Sequence, residues 1–370
     1  NVFATQRLVG LSGHHAQNAK SFVAASPRSL HNRPGRLDHR EALAAFDHAI
    51  SVNAKGIGAW YGKGRALQAL GRRQEGLQAL EKGLALEPGD PESWFSRGLI
   101  LEDLGRYQEE VPSLEKALRA NPNHARAWFH RGVALSALGR TEEAAEAFRE
   151  TLRIDPEDTR ASFQLGSLER DLGHYDQAVE ALEKATRASP ADARAHYLAG
   201  LARNGQGNHE EAALAFQRSL EIEPGDGRVW YTLGWTLVKL GRFEEGREAF
   251  ERATALDPGN LQAWYNRAFC EKELGRHNQA IASLEKALQI DPKHDGAWFL
   301  KGFSQKELGR YEDAVASFER ATAINEMNGV GWFMLGWTLA KLGNYARAVR
   351  AFDQASRIHP EDAGAGYNRA

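Results

Sequence analysis

A chain of 370 residues is longer than one ordinary hydrophobic core supports, so several domains or a repeat array are expected. Hydrophobic residues make up 42% and charged residues 26%, no apolar run reaches the ~20 residues of a membrane-spanning helix, and the single cysteine, Cys270, excludes an intrachain disulfide or a multi-cysteine metal site. Net charge is −2 but uneven: residues 1–36 hold Arg7, Lys20, Arg28, Arg33 and Arg36 and no acid, so a +5 arm precedes a −7 body.

The basic arm, 1–36, begins at Asn1 rather than Met and lacks the apolar stretch of an uncleaved signal peptide, so a processed chain or a fragment is expected. Its His14-His15 pair offers two metal ligands, too few for a site. A helix is predicted over Asp38–Ile50, with Ala42, Phe46 and Ala49 at helical spacing. From residue 57 one period organises the chain. Glycines stand at 71, 105, 139, 173, 207, 241, 275, 309 and 343, in steps of 34. Prolines at 88, 122, 156, 190, 224, 258, 292 and 360 keep that step, with Glu326 where one is skipped. So do tryptophans at 60, 94, 128, 230, 264, 298 and 332, with Ser162 and His196 in the gap. In the unit 125–158, Trp128, Val133, Leu135 and Leu138 predict one helix, and Ala144, Ala145, Phe148 and Leu152 predict another. Gly139 ends the first, because glycine accepts the left-handed conformation cheaply. Asp155-Pro156 ends the second.

A 34-residue helix–turn–helix unit with these markers resembles the tetratricopeptide repeat (TPR) family. In 227–260 the family's positions read Trp230, Leu233-Gly234, Leu237, Phe243, Gly246, Phe250, Ala253 and Pro258. Gly246 replaces a small alanine, and Ser162 and His196 replace tryptophan in repeats four and five, which are expected to be a softer segment. Nine full repeats cover 57–362. The resemblance implies an all-α, right-handed superhelical solenoid, with first helices lining a concave groove and second helices outside. Residues 37–56 match a second helix alone, Ala42, Phe46 and Ala49 filling the family's Ala, Phe and Ala positions. Residues 363–370 match the first eight positions of a tenth repeat, with Tyr367 at the aromatic fifth and Ala370 at the small eighth.

Catalytic chemistry is sparse. Gly62-Lys63-Gly64-Arg65 lacks the upstream glycine and the following Ser/Thr of a phosphate loop and falls inside a repeat helix. No His-Glu-x-x-His occurs, and His209-Glu210-Glu211 begins a second helix, where acids suit the dipole. Cys270, among Trp264, Phe269 and Leu274, reads as a packed core thiol. No enzyme activity, cofactor or metal is expected.

In the family, positions two, five, nine, twelve and thirteen of each repeat face inward. The fifth is aromatic throughout, which packing between repeats also explains. The ninth is aromatic in four successive repeats, so Tyr231, Trp235, Tyr265, Phe269, Phe299, Phe303, Phe333 and Trp337 form a candidate apolar groove in repeats six to nine. Its expected partner is a protein or peptide, as an apolar helix or an extended segment. Lysine and asparagine, which grip chaperone C-termini at the fifth and ninth positions in one TPR subtype, are absent there. Arg126, Arg160, Arg194 and Arg228 share the second position of four successive repeats and form a basic rim, either for an acidic ligand or as a solvated edge paired with neighbouring acids. The acidic body argues against nucleic acid.

The two partial ends leave two explanations open. The protein continues beyond residue 370, or copies stack head to tail into a filament, a homo-oligomer in which 363–370 completes the orphan helix through Phe46, Ala49, Tyr367 and Ala370. The primary expectation is a non-catalytic interaction scaffold, with a filament subunit and the TPR portion of a larger protein, such as a TPR-linked glycosyltransferase, as alternatives. No compartment signal is decisive; cytoplasmic placement is favoured, and extracellular if the filament reading holds.

Overall fold

The computed structural model describes residues 38–358. Among them are 19 α-helices and no strand. Tyr367 and Ala370 lie outside the described residues, as does the basic arm. His39–Val52 comes first, followed by nine helix pairs from Ile57–Ala69 with Arg73–Leu86 to Gly329–Lys341 with Tyr345–Ile358. The first helix of each pair has 13 residues and the second 14.

Short polar side chains start the first helices. Asp90, Asp158, Asp192, Asp226, Asn260 and Asn328 each accept a hydrogen bond from a backbone N–H of the first turn. The periodic glycines end them, all at φ between +68° and +83°. At the first such turn Gly71 N–H donates to Gln68 O and Arg72 N–H to Leu67 O, each at 2.9 Å, which satisfies carbonyls the helix leaves open. The tryptophans lock the turns between repeats. Trp94, Trp128, Trp230, Trp264 and Trp298 donate their indole N–H to the proline carbonyl six residues earlier, at 2.7–3.0 Å. The bond needs a carbonyl rather than proline itself, so Trp332 makes it to Glu326 O. His196 Nε2 donates likewise to Pro190 O at 3.1 Å, and Ser162, which takes the tryptophan's place in repeat four, is buried.

Within a repeat, glycine at the eighth position receives a ring from the twenty-fourth. A Cβ on Gly132, Gly200, Gly234, Gly302 or Gly336 would approach within 3 Å of Phe148, Phe216, Phe250, Phe318 or Phe352. Those five rings are fully or almost fully buried, each worth roughly 1.5–3 kcal/mol of transfer free energy. Between repeats, a cation at the seventh position stands over the tryptophan ring of its own helix and pairs with an acid of the preceding second helix. Lys63 with Trp60 and Asp47, Arg97 with Trp94 and Glu81, and Arg131 with Trp128 and Glu115 repeat the pattern. Arg267 with Trp264 and Glu251, and Lys301 with Trp298 and Glu285, do the same.

The chain divides into two compact units at Ala188/Ser189, between repeats four and five. Within each unit, every helix packs on its neighbours in sequence and buries a series of small cores between repeats.

Candidate binding face on the first helices

All eight groove candidates fall in the second unit, on the first helices Gly227–Lys239, Leu261–Glu273, Asp295–Glu307 and Gly329–Lys341. The fifth and ninth positions are four apart and share one helix face. The fifth-position rings turn inward. Tyr231, Phe299 and Phe333 lie 5.6–5.7 Å from the buried rings of Phe250, Phe318 and Phe352, and Tyr265 lies 5.1 Å from His294. Tyr231 Oη also accepts from Asn266 Nδ2 at 3.2 Å. Burial raises the Tyr265 phenol above its ordinary pKa. These four rings anchor their repeats and leave an edge outside.

The ninth-position rings are more open. Trp235 is 40% exposed, and Phe269, Phe303 and Trp337 are half-buried. Three of them meet the first residue of the preceding second helix: Trp235 at His209, Phe269 at Phe243, and Trp337 at Tyr311, at 6.2–6.4 Å. Lysines separate the rings. Lys272 Nζ lies 4.9 Å from the Phe269 centroid and 5.6 Å from that of Phe303. Lys306 Nζ lies 4.7 Å from Phe303 and 5.1 Å from Trp337. Lys239 covers Trp235 at 4.9 Å, and Lys341 covers Trp337 at 5.2 Å. The continuous apolar lining expected from sequence is therefore interrupted by ammonium groups set beside the rings. These lysines occupy the inward twelfth and thirteenth positions, a signal the sequence carried and the aromatic pattern obscured.

The basic rim is engaged rather than free. In the first unit, Arg126 stacks on Phe95 at 5.1 Å, and Arg160 stacks on Phe129 at 4.5 Å while pairing with Asp158 at 2.9 Å. In the second, Arg228 pairs with Asp226 at 2.7 Å and holds that carboxyl below its usual range, and Arg194 sits on Ala193–Gly205. At the orphan helix, Phe46 is buried with its ring over Gly62, where a Cβ would stand 2.3 Å away, while Ala49 is exposed.

Other candidates carry little chemistry. Gly62–Arg65 lies inside Ile57–Ala69, not in a loop. His209 opens His209–Ile222, its Nδ1 3.0 Å from Asn204 Oδ1. Cys270 is fully buried, and burial pushes its thiol up to about 12, far from a nucleophilic thiolate. A Cβ on Gly246, the glycine that departs from the family pattern, would stand 3.3 Å from Gly234 O and 3.4 Å from the Cys270 Sγ and Val238 Cγ2, a close but not excluded fit. Among the described residues no three His, Cys, Asp or Glu side chains gather as for a metal, and no helix is long and apolar enough to cross a membrane. Sequence reading missed the buried polar groups. Glu271 accepts from Arg267 Nε at 2.9 Å and Ser283 Oγ at 2.7 Å; Glu169 pairs with Arg149 and His174; Gln305 Oε1 accepts from Ser317 at 2.6 Å. Their shared eleventh position, apolar in most other repeats, was the available clue.

The tetratricopeptide repeat family model matches residues 61–116, 111–159, 163–227 and 299–363, more than half of the chain. The chain belongs to the tetratricopeptide repeat family. It is a TPR scaffold of stacked helix pairs. A second TPR model, the cytochrome c-type biogenesis protein H TPR domain, matches residues 208–328. Among solved TPR structures, YrrB, described as having an unusual peptide-binding site, is 24% identical, with 49% of this chain and 94% of that chain covered and a TM-score of 0.47. MamA from Desulfovibrio magneticus RS-1 is 26% identical, over 46% of this chain and 96% of that chain, with a TM-score of 0.43. A TPR protein from Parabacteroides merdae is 20% identical, over 67% and 98%, with a TM-score of 0.45. No curated protein matches the chain.

Proposed function

We propose that this TPR protein is a non-catalytic scaffold whose first-helix face in repeats six to nine binds a segment of another protein. The observation that carries the reading is the run of ninth-position rings, Trp235, Phe269, Phe303 and Trp337, which keep exposed area while three of them also pack on the repeat cores beside the fifth-position rings. Partly exposed aromatic side chains on rigid helices lose little conformational entropy on binding and serve as anchors. An extended segment or a helix bearing apolar side chains fits such a face. The test is Trp235→Ala with Trp337→Ala in the full chain. The variant keeps its helical circular dichroism and loses at least tenfold in affinity for a partner peptide, since truncating two anchors costs upward of ~1 kcal/mol each. Unchanged affinity refutes the reading.

A further inference from the structure

We infer that the segment received by this face is apolar in its middle and acidic at both ends, an inference that rests on the binding reading above. The inner and outer lysines of the ladder differ. The side chains of Lys272 and Lys306 are only 19% and 15% exposed, each between two rings. Lys272 pairs with Glu273, and Lys306 with Glu307 at 2.6 Å. Their charges are compensated in place, and they act as spacers between rings. Lys239 and Lys341 are exposed, cover one ring each, and pair with no carboxylate among the described residues. The middle of the face, around Phe269 and Phe303, is therefore electrically balanced, and a free cation stands at each end.

First helices of consecutive repeats touch in this unit. At roughly 8–10 Å per step, the three steps from repeat six to repeat nine span roughly 24–30 Å, or about seven to nine residues of extended chain. The occupant is a partner protein's extended segment with apolar side chains over the rings and Asp or Glu at each end. The chain's own arm does not qualify, since residues 1–36 contain no acid.

The test uses the full chain and fluorescence anisotropy with three labelled peptides: a Leu/Phe stretch flanked by glutamates, the same stretch flanked by glutamines, and the same flanked by lysines. The glutamate peptide binds about five- to tenfold more tightly than the glutamine peptide at low salt, the sum of two exposed charge pairs, and the lysine peptide binds weakest. The gap closes in about 0.5 M salt. Lys239→Gln with Lys341→Gln brings the glutamate peptide down to the glutamine level and leaves the glutamine peptide unchanged. Equal binding of glutamate and glutamine peptides, both weakened by Trp235→Ala with Trp337→Ala, overturns the charge inference and keeps the binding face. Binding indifferent to the tryptophans, or no binding by any peptide, overturns both. Tighter binding of a single-stranded oligothymidylate than of the glutamate peptide overturns the assignment to a protein segment.

Discussion

Glu110 occupies the twentieth position of repeat two, where every other full repeat carries alanine or glycine. It is fully buried, and among the described residues neither carboxylate oxygen has a hydrogen-bond partner. Burial, with a smaller contribution from the Glu102 carboxylate, pushes its pKa from 4.5 up to about 8. Glu102 itself is held 2.7 Å from His130 Nδ1. The folded state thus keeps a proton that the unfolded chain releases above about pH 4.5. Stability falls as pH rises from about 4.5 to about 8 and levels off above. At ~1.4 kcal/mol per pH unit, the loss is at most ~3 kcal/mol by pH 7 and ~5 kcal/mol by pH 8. Glu110→Ala, the residue found at this position in most repeats, removes the titration. Denaturant unfolding followed by far-UV circular dichroism from pH 4.5 to 8.5 measures the difference between the two proteins, in which all shared groups cancel. The variant should gain on the wild type steadily across the window, whatever constant offset the lost side-chain methylenes add. A difference independent of pH would refute the reasoning, since it would mean that Glu110 reaches water or a partner when folded.

Two glycine substitutions separate backbone strain from steric overlap. Gly241→Ala, at φ +72° with nothing within 4 Å of the new Cβ, should cost about 1–2 kcal/mol in denaturant unfolding through the left-handed conformation alone; a neutral result would contradict that origin. Gly62→Ala has ordinary helical geometry but would press on the Phe46 ring, so overpacking of about 1–3 kcal/mol should appear as faster hydrogen exchange in His39–Val52, relieved by adding Phe46→Leu. Unaltered exchange in that helix would show that Phe46 is not seated on Gly62.

Much of the fold was legible because its determinants repeat. Glycine every 34 residues marks a turn that needs positive φ, and the Trp and Pro columns mark one hydrogen bond made again and again. What was hidden lay in pairs of columns. The surroundings of Gly246 come from Gly234, Val238 and Cys270, and the cations at position seven become intelligible only beside the acid contributed by the preceding repeat. The candidate face was half legible. Aromatic residues at positions five and nine could be read directly, yet sequence does not say that a fifth-position ring turns onto Phe318 or that the Lys306 ammonium sits beside both Phe303 and Trp337. Glu110 was visible in an alanine column, but its missing partners are a property of packing.

The two units share one backbone plan and carry different first-helix faces. Positions five, eight and twenty-four make the repeat, and they are aromatic, small and large in both units. Position nine is not needed for that: it reads Arg65, Leu99, Val133 and Ser167 in the first four repeats, which stack without a ring there. Since a repeat forms with any of these at position nine, an aromatic ring there is not a general requirement of the repeat, although Phe269, Phe303 and Trp337 do pack against their own cores. The lysines that accompany them are not general either: in the first unit position twelve carries Gln68, Glu102, Ser136 and Arg170, and position thirteen carries Ala69, Asp103, Ala137 and Asp171. The rings thus do two things at once, since Phe269, Phe303 and Trp337 pack on the cores of their repeats and still keep exposed area, and that remaining area is what the proposed binding uses.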